Sequence, residues 1–216
     1  YSGILYVMQW LNTLISFVRD AIRAVIGQLA VILNRLSGGR ISPNVITFIS
    51  LATHVPIAWL IAQRQNYWAA GLLLVFGLFD ALDGAIARLQ KSDSPRGMLL
   101  DASTDRMKEV ILYSGAAYAM IASNHAYWAV WAVAACGSSL TVSYVKAKGE
   151  TAFTGIKLSA NEINRLFSSG IMQFEVRGFI LFVSLLANQL RYALVLIAVA
   201  SSLTAIGRLI GISQKL

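Results

Sequence analysis

Charge is what this sequence has least of. Only 13% of its 216 residues are Asp, Glu, Lys or Arg, against about 25% in a soluble globular domain. A polar skin over a domain of this size is therefore excluded. A single cysteine, Cys136, excludes an intrachain disulfide and a cysteine metal cluster. Two histidines, His54 and His125, exclude a three-histidine metal site. What is present is apolar: 57% of residues are hydrophobic, and the mean hydropathy is +0.64. The net charge of +8 would suggest nucleic acid in a soluble protein. In so apolar a chain it points to Lys and Arg gathered on one side of a bilayer and to anionic membrane lipid, with no nucleic-acid partner.

A hydrocarbon core about 30 Å thick needs roughly 20 apolar residues in a helix. Six stretches meet or approach that length: Asn44–Ala62, Tyr67–Leu89, Gly97–Ala122, Ala126–Lys146, Gly170–Ala187 and Leu190–Ile212. Polar clusters separate them, and helices are the default inside lipid because they satisfy their own backbone hydrogen bonds. The expected fold is an all-α membrane protein, a six-transmembrane-helix bundle over residues 42–216. Residues 1–41 precede it. Within them Gln9–Leu36 is apolar but broken by Arg19, Asp20, Arg23, Asn34 and Arg35 at roughly helical spacing. That pattern predicts a juxtamembrane amphipathic helix lying on the cytoplasmic face, with a seventh spanning helix as the alternative. Gly38-Gly39-Arg40 ends it, and Ser42-Pro43-Asn44 opens the first span as a capping turn. Lys91, Arg96, Lys148, Lys157 and Arg165 fall on the same side as both termini, whereas the other side has Arg64 and Arg191. Both termini and the two basic loops are therefore expected in the cytoplasm, at the cell membrane.

Charges inside spans are costly, about 2.5–3.5 kcal/mol each on insertion scales. Here they collect at the junction of spans two and three. Asp80, Asp83, Gly84 and Ala87 are spaced i, i+3, i+4 and i+7, which puts them on one helix face. Gly97, Asp101 and Asp105 sit four apart and also share a face. Two helices joined by a short loop are antiparallel neighbours, so each offers a carboxylate pair to one crevice. Four acids this close raise one another's pKa or bind cations. An all-oxygen set suits magnesium, manganese or calcium, and two-metal sites of this kind clamp phosphoryl oxygens. Gly84 and Gly97 open the helix backbone to a ligand, and Arg88 offers a planar fork to phosphate. Together these suggest a metal–pyrophosphate. The competing reading is a cation- or proton-coupled transporter, but an ion pathway would spread its acids through the bilayer depth.

The spacing Asp-x2-Asp-Gly-x2-Ala-Arg-x8-Gly-x3-Asp-x3-Asp, from Asp80 to Asp105, resembles the signature of the CDP-alcohol phosphotransferase family at every fixed position. The resemblance implies displacement of CMP from CDP-diacylglycerol by the hydroxyl of a second alcohol. It implies two Mg2+ or Mn2+ ions held by Asp80, Asp83, Asp101 and Asp105, with Asp105 also the general base. It implies CDP-alcohol contacts from Asn44, Val45, Ile46, Thr47, Gly84, Arg88, Ser94 and Gly97, and a homodimer.

Two further stretches, Val142–Glu150 and Val199–Leu209, resemble bacterial phosphatidylinositol-phosphate synthases. That similarity implies an inositol 1-phosphate acceptor whose phosphate meets Lys146, Lys148, Arg177 and Arg208. The run Ile171–Arg177 departs from their pattern, and the loop Gly149–Ser169 is longer than theirs. Glycerol 3-phosphate therefore stays open as the acceptor, which would make the protein a phosphatidylglycerophosphate synthase; another phosphorylated polyol would suit the same cations.

The remaining features read as architecture. Trp10, Trp59, Trp68, Trp128 and Trp131, with Tyr67 and Tyr127, lie mostly near span ends, as in an interfacial belt. Ser114–Ala117 and Gly137–Ser139 permit close helix packing. Glu109, four after Asp105, extends the acidic face, and Lys108 is expected to pair with a neighbouring helix.

Overall fold

The computed structural model describes residues 23–153 and 172–216, with no account of the Asp80 side chain. Every regular element among them is helical. The helices are α1 (residues 23–36), α2 (Pro43–Ala62), α3 (Asn66–Gln90), α4 (Pro95–Ala122), α5 (Ala129–Ala152), α6 (Phe174–Leu186) and α7 (Leu190–Ser213). A single 3-10 turn, Ala126–Trp128, leads into α5. The six expected stretches correspond to α2–α7 with ends shifted by a few residues. The largest shifts lie at α5, which runs on to Ala152, and at α6, which begins at Phe174. Residues 9–22 of the expected surface helix, and most of the long loop after α5, lie outside the described residues.

Among the described residues, four segments are long and apolar enough to cross a membrane: Pro43–Ala62, Asn66–Gln90, Ala126–Ala152 and Leu190–Ser213. The two other expected spans differ for separate reasons. The first half of α4 carries Asp101, Asp105, Arg106, Lys108 and Glu109, which lowers its hydropathy. α6 has only 13 residues, about 20 Å at 1.5 Å per residue.

Short polar connections close the helices by one device. After α2, Arg64 adopts φ 60°, and the N–H groups of Arg64 and Gln65 return to the carbonyls of Ile61 and Leu60, both at 2.9 Å. The same double closure turns at Lys91 after α3, Asn124 after α4 and Asn188 after α6. After α1 it is made by Gly38, the residue type that suits a positive φ.

The described residues form two compact units. One joins the residues up to Ser50 with Val75–Thr104; the other joins Leu51–Leu74 with Asp105 onward. In the first, Ile26 and Ala30 of α1 pack with Ile46 of α2 and Leu82 and Ile86 of α3. Burying each large aliphatic side chain contributes about 1.5–3 kcal/mol, so α1 is docked rather than trailing. Gln90 adds a polar tie, its Nε2 donating to Asn34 Oδ1 at 2.9 Å and to the Ile41 carbonyl at 3.0 Å.

In the second unit α5 packs along α7, and α6 packs against α7. At Gly115 of α4 the backbone of Ala58 in α2 comes so close that a Cβ would collide with its Cα at 2.9 Å. The small-residue run is thus a packing device, as its composition predicts. Tyr113 and Ser139, both buried, share a hydrogen bond at 3.3 Å. Asn188 accepts from Asn66 at 2.8 Å and donates to the Tyr67 hydroxyl at 3.0 Å.

Candidate active site

α3 ends and α4 begins around a four-residue loop, and this loop sets the stage for the signature. Ser94 caps α4, accepting from the Gly97 N–H at 3.1 Å, with Pro95 at the first helical position. A Cβ on Gly97 would lie 3.3 Å from Ser94 Oγ and 3.9 Å from Asn44 Oδ1. Three of the residues expected to touch the nucleotide therefore converge: Asn44, Ser94 and Gly97.

Asp83 is 5% exposed and held at both oxygens. Thr47 donates to its Oδ2 at 2.5 Å, and the Gly84 N–H donates to its Oδ1 at 2.6 Å. A carboxylate fixed from behind in this way is oriented as metal ligands generally are. Thr47 also lies 3.2 Å from the Pro43 carbonyl, but the charge-assisted contact is the shorter. Ile46 belongs to the core cluster, and Val45 is exposed.

Asp83, Gly84, Arg88 and Asp101 line one cavity of about 940 Å³. The guanidinium of Arg88 folds back so that a Cβ on Gly84 would meet its NH1 at 3.4 Å. The other walls come from Ala81, Ala85 and Leu89 of α3 and from Arg23, Ile26, Gly27, Ala30 and Val31 of α1. Among the described residues, which leave out the Asp80 side chain, no three acidic, His or Cys side chains converge tightly enough to hold a metal. The donor chemistry nonetheless fits a hard divalent ion: Asp83 and Asp101 supply carboxylate oxygens to one cavity, and Asp83 already has its supporting hydrogen bonds.

Asp105 follows Asp101 by one turn of α4 and belongs to the second unit. Two cations of its own helix flank it. Lys108 Nζ lies 3.2 Å from its Oδ1, and Arg106 NH2 lies 3.7 Å from its Oδ2. Lys108 is 1% exposed. An interhelical ion pair is present nearby, made by Glu109, whose Oε1 accepts from Arg177 Nε at 2.6 Å. Glu109 Oε2 accepts from Arg106 NH1 at 2.7 Å. Arg106 also donates to Ser143 of α5 at 2.6 Å and stacks on Phe174 of α6, 4.8 Å from the ring centre. The acidic face thus stops at Asp105; Glu109 serves two arginines instead.

The four residues expected at the acceptor phosphate divide into two kinds. Arg177 and Arg208 are buried. Arg177 NH1 reaches the Met172 carbonyl at 2.7 Å, and Arg208 NH1 reaches the Val142 carbonyl at 3.4 Å, next to the serine that receives Arg106. Lys146 and Lys148 are exposed; Lys146 lies 3.9 Å from Glu150 on its own helix, and Lys148 sits over the Tyr144 ring. In the second unit Arg106, Lys108 and Arg177 form an ion-pair network with Asp105 and Glu109. From the sequence Arg106 is recognisable only as a flank of Asp105, and its contacts with Glu109, Ser143 and Phe174 come from packing.

The model of the CDP-alcohol phosphatidyltransferase family matches residues 40–206. This chain belongs to that family. Among curated relatives of the transferase, the phosphatidylinositol phosphate synthase of Corynebacterium glutamicum is 33% identical over 51% of this chain and 52% of its own length; the chain thus spans about half of that relative. The archaetidylinositol phosphate synthase of Pyrococcus horikoshii is 30% identical over 82% of this chain and 86% of its own length. The solved phosphatidylinositol phosphate synthase of Mycobacterium tuberculosis with CDP-DAG bound has a TM-score of 0.73 at 24% identity, covering 88% of this chain and 94% of that one. The same Mycobacterium protein has been solved in complex with manganese and citrate, again with a TM-score of 0.73. These likenesses carry the transferase fold.

Proposed function

We propose that this chain is a divalent-metal-dependent transferase that moves a phosphatidyl group from CDP-diacylglycerol to a phosphorylated polyol, inositol 1-phosphate in particular. The observation that carries the reading is the meeting of Asp83, Asp101, Gly84 and Arg88 at one cavity, with Asp105 one helical turn after Asp101. Asp80, Asp83, Asp101 and Asp105 hold two Mg2+ or Mn2+ ions. When bound, the metal supplies charge neutralisation at the pyrophosphate and stabilises the departing CMP. Asn44, Ser94, Gly97, Gly84 and Arg88 hold the CDP moiety, together with the backbone from Val45 to Thr47.

In the reaction the acceptor hydroxyl oxygen forms a bond to the phosphorus that carries diacylglycerol. The bond from that phosphorus to the bridging oxygen breaks, and CMP leaves with the electron pair. Asp105 takes the hydroxyl proton. Arg177 and Arg208 supply buried cations to the acceptor phosphate, and Lys146 and Lys148 supply exposed ones. The basic side chains Arg106, Lys108, Arg177 and Arg208 favour an anionic acceptor over serine or a neutral alcohol. The names of the Corynebacterium and Pyrococcus relatives favour inositol phosphate over glycerol 3-phosphate.

The membrane arrangement follows from the same reading. α2–α7 form a six-span bundle, the region including α1 lies along the cytoplasmic face, and the active side and both termini face the cytoplasm. The protein acts as a homodimer. Purified protein given CDP-diacylglycerol with inositol 1-phosphate, glycerol 3-phosphate, inositol or serine tests the acceptor directly. The expected result is CMP release with inositol 1-phosphate well above the other three. Equal or greater release with glycerol 3-phosphate would reassign the acceptor, and solute uptake into liposomes lacking CDP-lipid would favour a transporter.

A further inference from the structure

We propose that α1 is the lipid-recognising wall of the CDP-alcohol cavity, with the space before Gly27 receiving the glycerol-proximal part of the diacylglycerol. The inference rests on the reading of that cavity given above and assigns it a specificity element outside the signature. Three observations carry it.

The first is the make-up of the cavity. Its charged groups, Asp83, Asp101 and Arg88 together with Arg23 of α1, share the cavity with the apolar side chains Ile26, Ala30 and Val31 of α1. A cavity with a charged end and an aliphatic wall fits an amphipathic ligand better than a free nucleotide. Its volume, about 940 Å³, lies near the top of the roughly 300–1,000 Å³ usual for small-ligand pockets.

The second is Gly27 itself. It lies inside a helix, where glycine costs roughly 0.5–1 kcal/mol relative to alanine. Its φ is not positive, and a Cβ there would meet nothing within 4 Å. Neither backbone conformation nor packing within the chain requires glycine at this position. The open space it leaves belongs to the cavity.

The third is the way α1 is mounted. One face is locked on the Ile46, Leu82 and Ile86 cluster, so the wall is fixed. Val25, Leu29, Ile32 and Leu36, spaced at 4, 3 and 4 residues, form a second apolar stripe that is 53%, 42%, 52% and 81% exposed. A second apolar stripe beside the packed one suits contact with acyl chains at the membrane surface. Arg23, at the cavity end of the helix, adds a cation for the phosphate linked to them.

The test uses full-length protein in mixed micelles. The KM for CDP-dioleoylglycerol is measured in CMP-release assays, and the affinity for CDP with Mg2+ is measured by titration. Gly27→Leu fills the space with a good helix former, and Val31→Phe enters it from the next turn, should the first variant fold poorly. The expected result for either variant is a KM for the CDP-lipid raised roughly tenfold or more, with the CDP affinity unchanged. A folded variant with an unchanged KM overturns the proposal. So does a parallel loss of CDP affinity, which would make α1 a nucleotide contact. Wild-type protein that releases no CMP from the CDP-lipid with any alcohol fails at the level of the site itself.

Discussion

Arg177 Nε donates to Glu109 Oε1 at 2.6 Å, and neither residue is more than 4% exposed. A charge pair this deeply sealed holds only while both members are present. Breaking such a pair from one side typically costs about 3–5 kcal/mol, because the survivor is left without a counter-charge. Glu109→Ala is therefore expected to lower the unfolding midpoint in detergent sharply. Adding Arg177→Met to it should restore much of the loss. A double-mutant cycle without coupling would show that the two side chains act independently.

Thr47→Val removes the hydroxyl that fixes Asp83 while keeping the shape of the side chain. The carboxylate retains its bond from the Gly84 N–H but can rotate. Groups that orient a metal ligand are worth about 10–100-fold in affinity or activity. The variant should need more Mg2+ or Mn2+ by about that factor for half-maximal turnover, with its unfolding midpoint little changed. A metal titration superimposable on that of the wild type would contradict this role.

Asp105→Asn preserves volume and leaves an Oδ1 acceptor near the Lys108 ammonium, so the helix should stand. It removes the basic carboxylate. CMP release is expected to fall to background while CDP still binds, and retained turnover would move the base elsewhere.

Arg64, exposed after α2, holds φ 60°. A left-handed residue with a side chain carries about 1–2 kcal/mol of strain, and glycine gives back roughly 0.5–1 kcal/mol of that in unfolded-chain entropy. Arg64→Gly should therefore gain roughly 0.5 kcal/mol of stability. Arg64→Ala keeps the strain and should gain nothing, so comparing the two midpoints isolates the backbone contribution.

Much of the helical layout can be read from the chain because apolar length and polar breaks carry it. The stops at Asn124 and Asn188 coincide with polar clusters that any hydropathy reading finds, and the spacing from Asp80 to Asp105 names a chemistry before any contact is known. Two kinds of information are not local. The 13-residue length of α6 depends on where Phe174 enters the fold, and the run before it gives no such sign. Partner choice is likewise hidden. Glu109 shares a helix face with Asp105, and only packing reveals that two arginines, Arg106 and Arg177, converge on it. Thr47 presents a hydroxyl that a sequence can equally assign to nucleotide or to protein; the 2.5 Å contact with Asp83 decides what it touches here.

At Gly115 no side chain stands between the main chains of α4 and α2. A joint of that kind has no soft layer to compress and no rotamer to yield, so the two helices must travel together when the bilayer thins or thickens. Any opening within the second unit has to be found at other helix contacts.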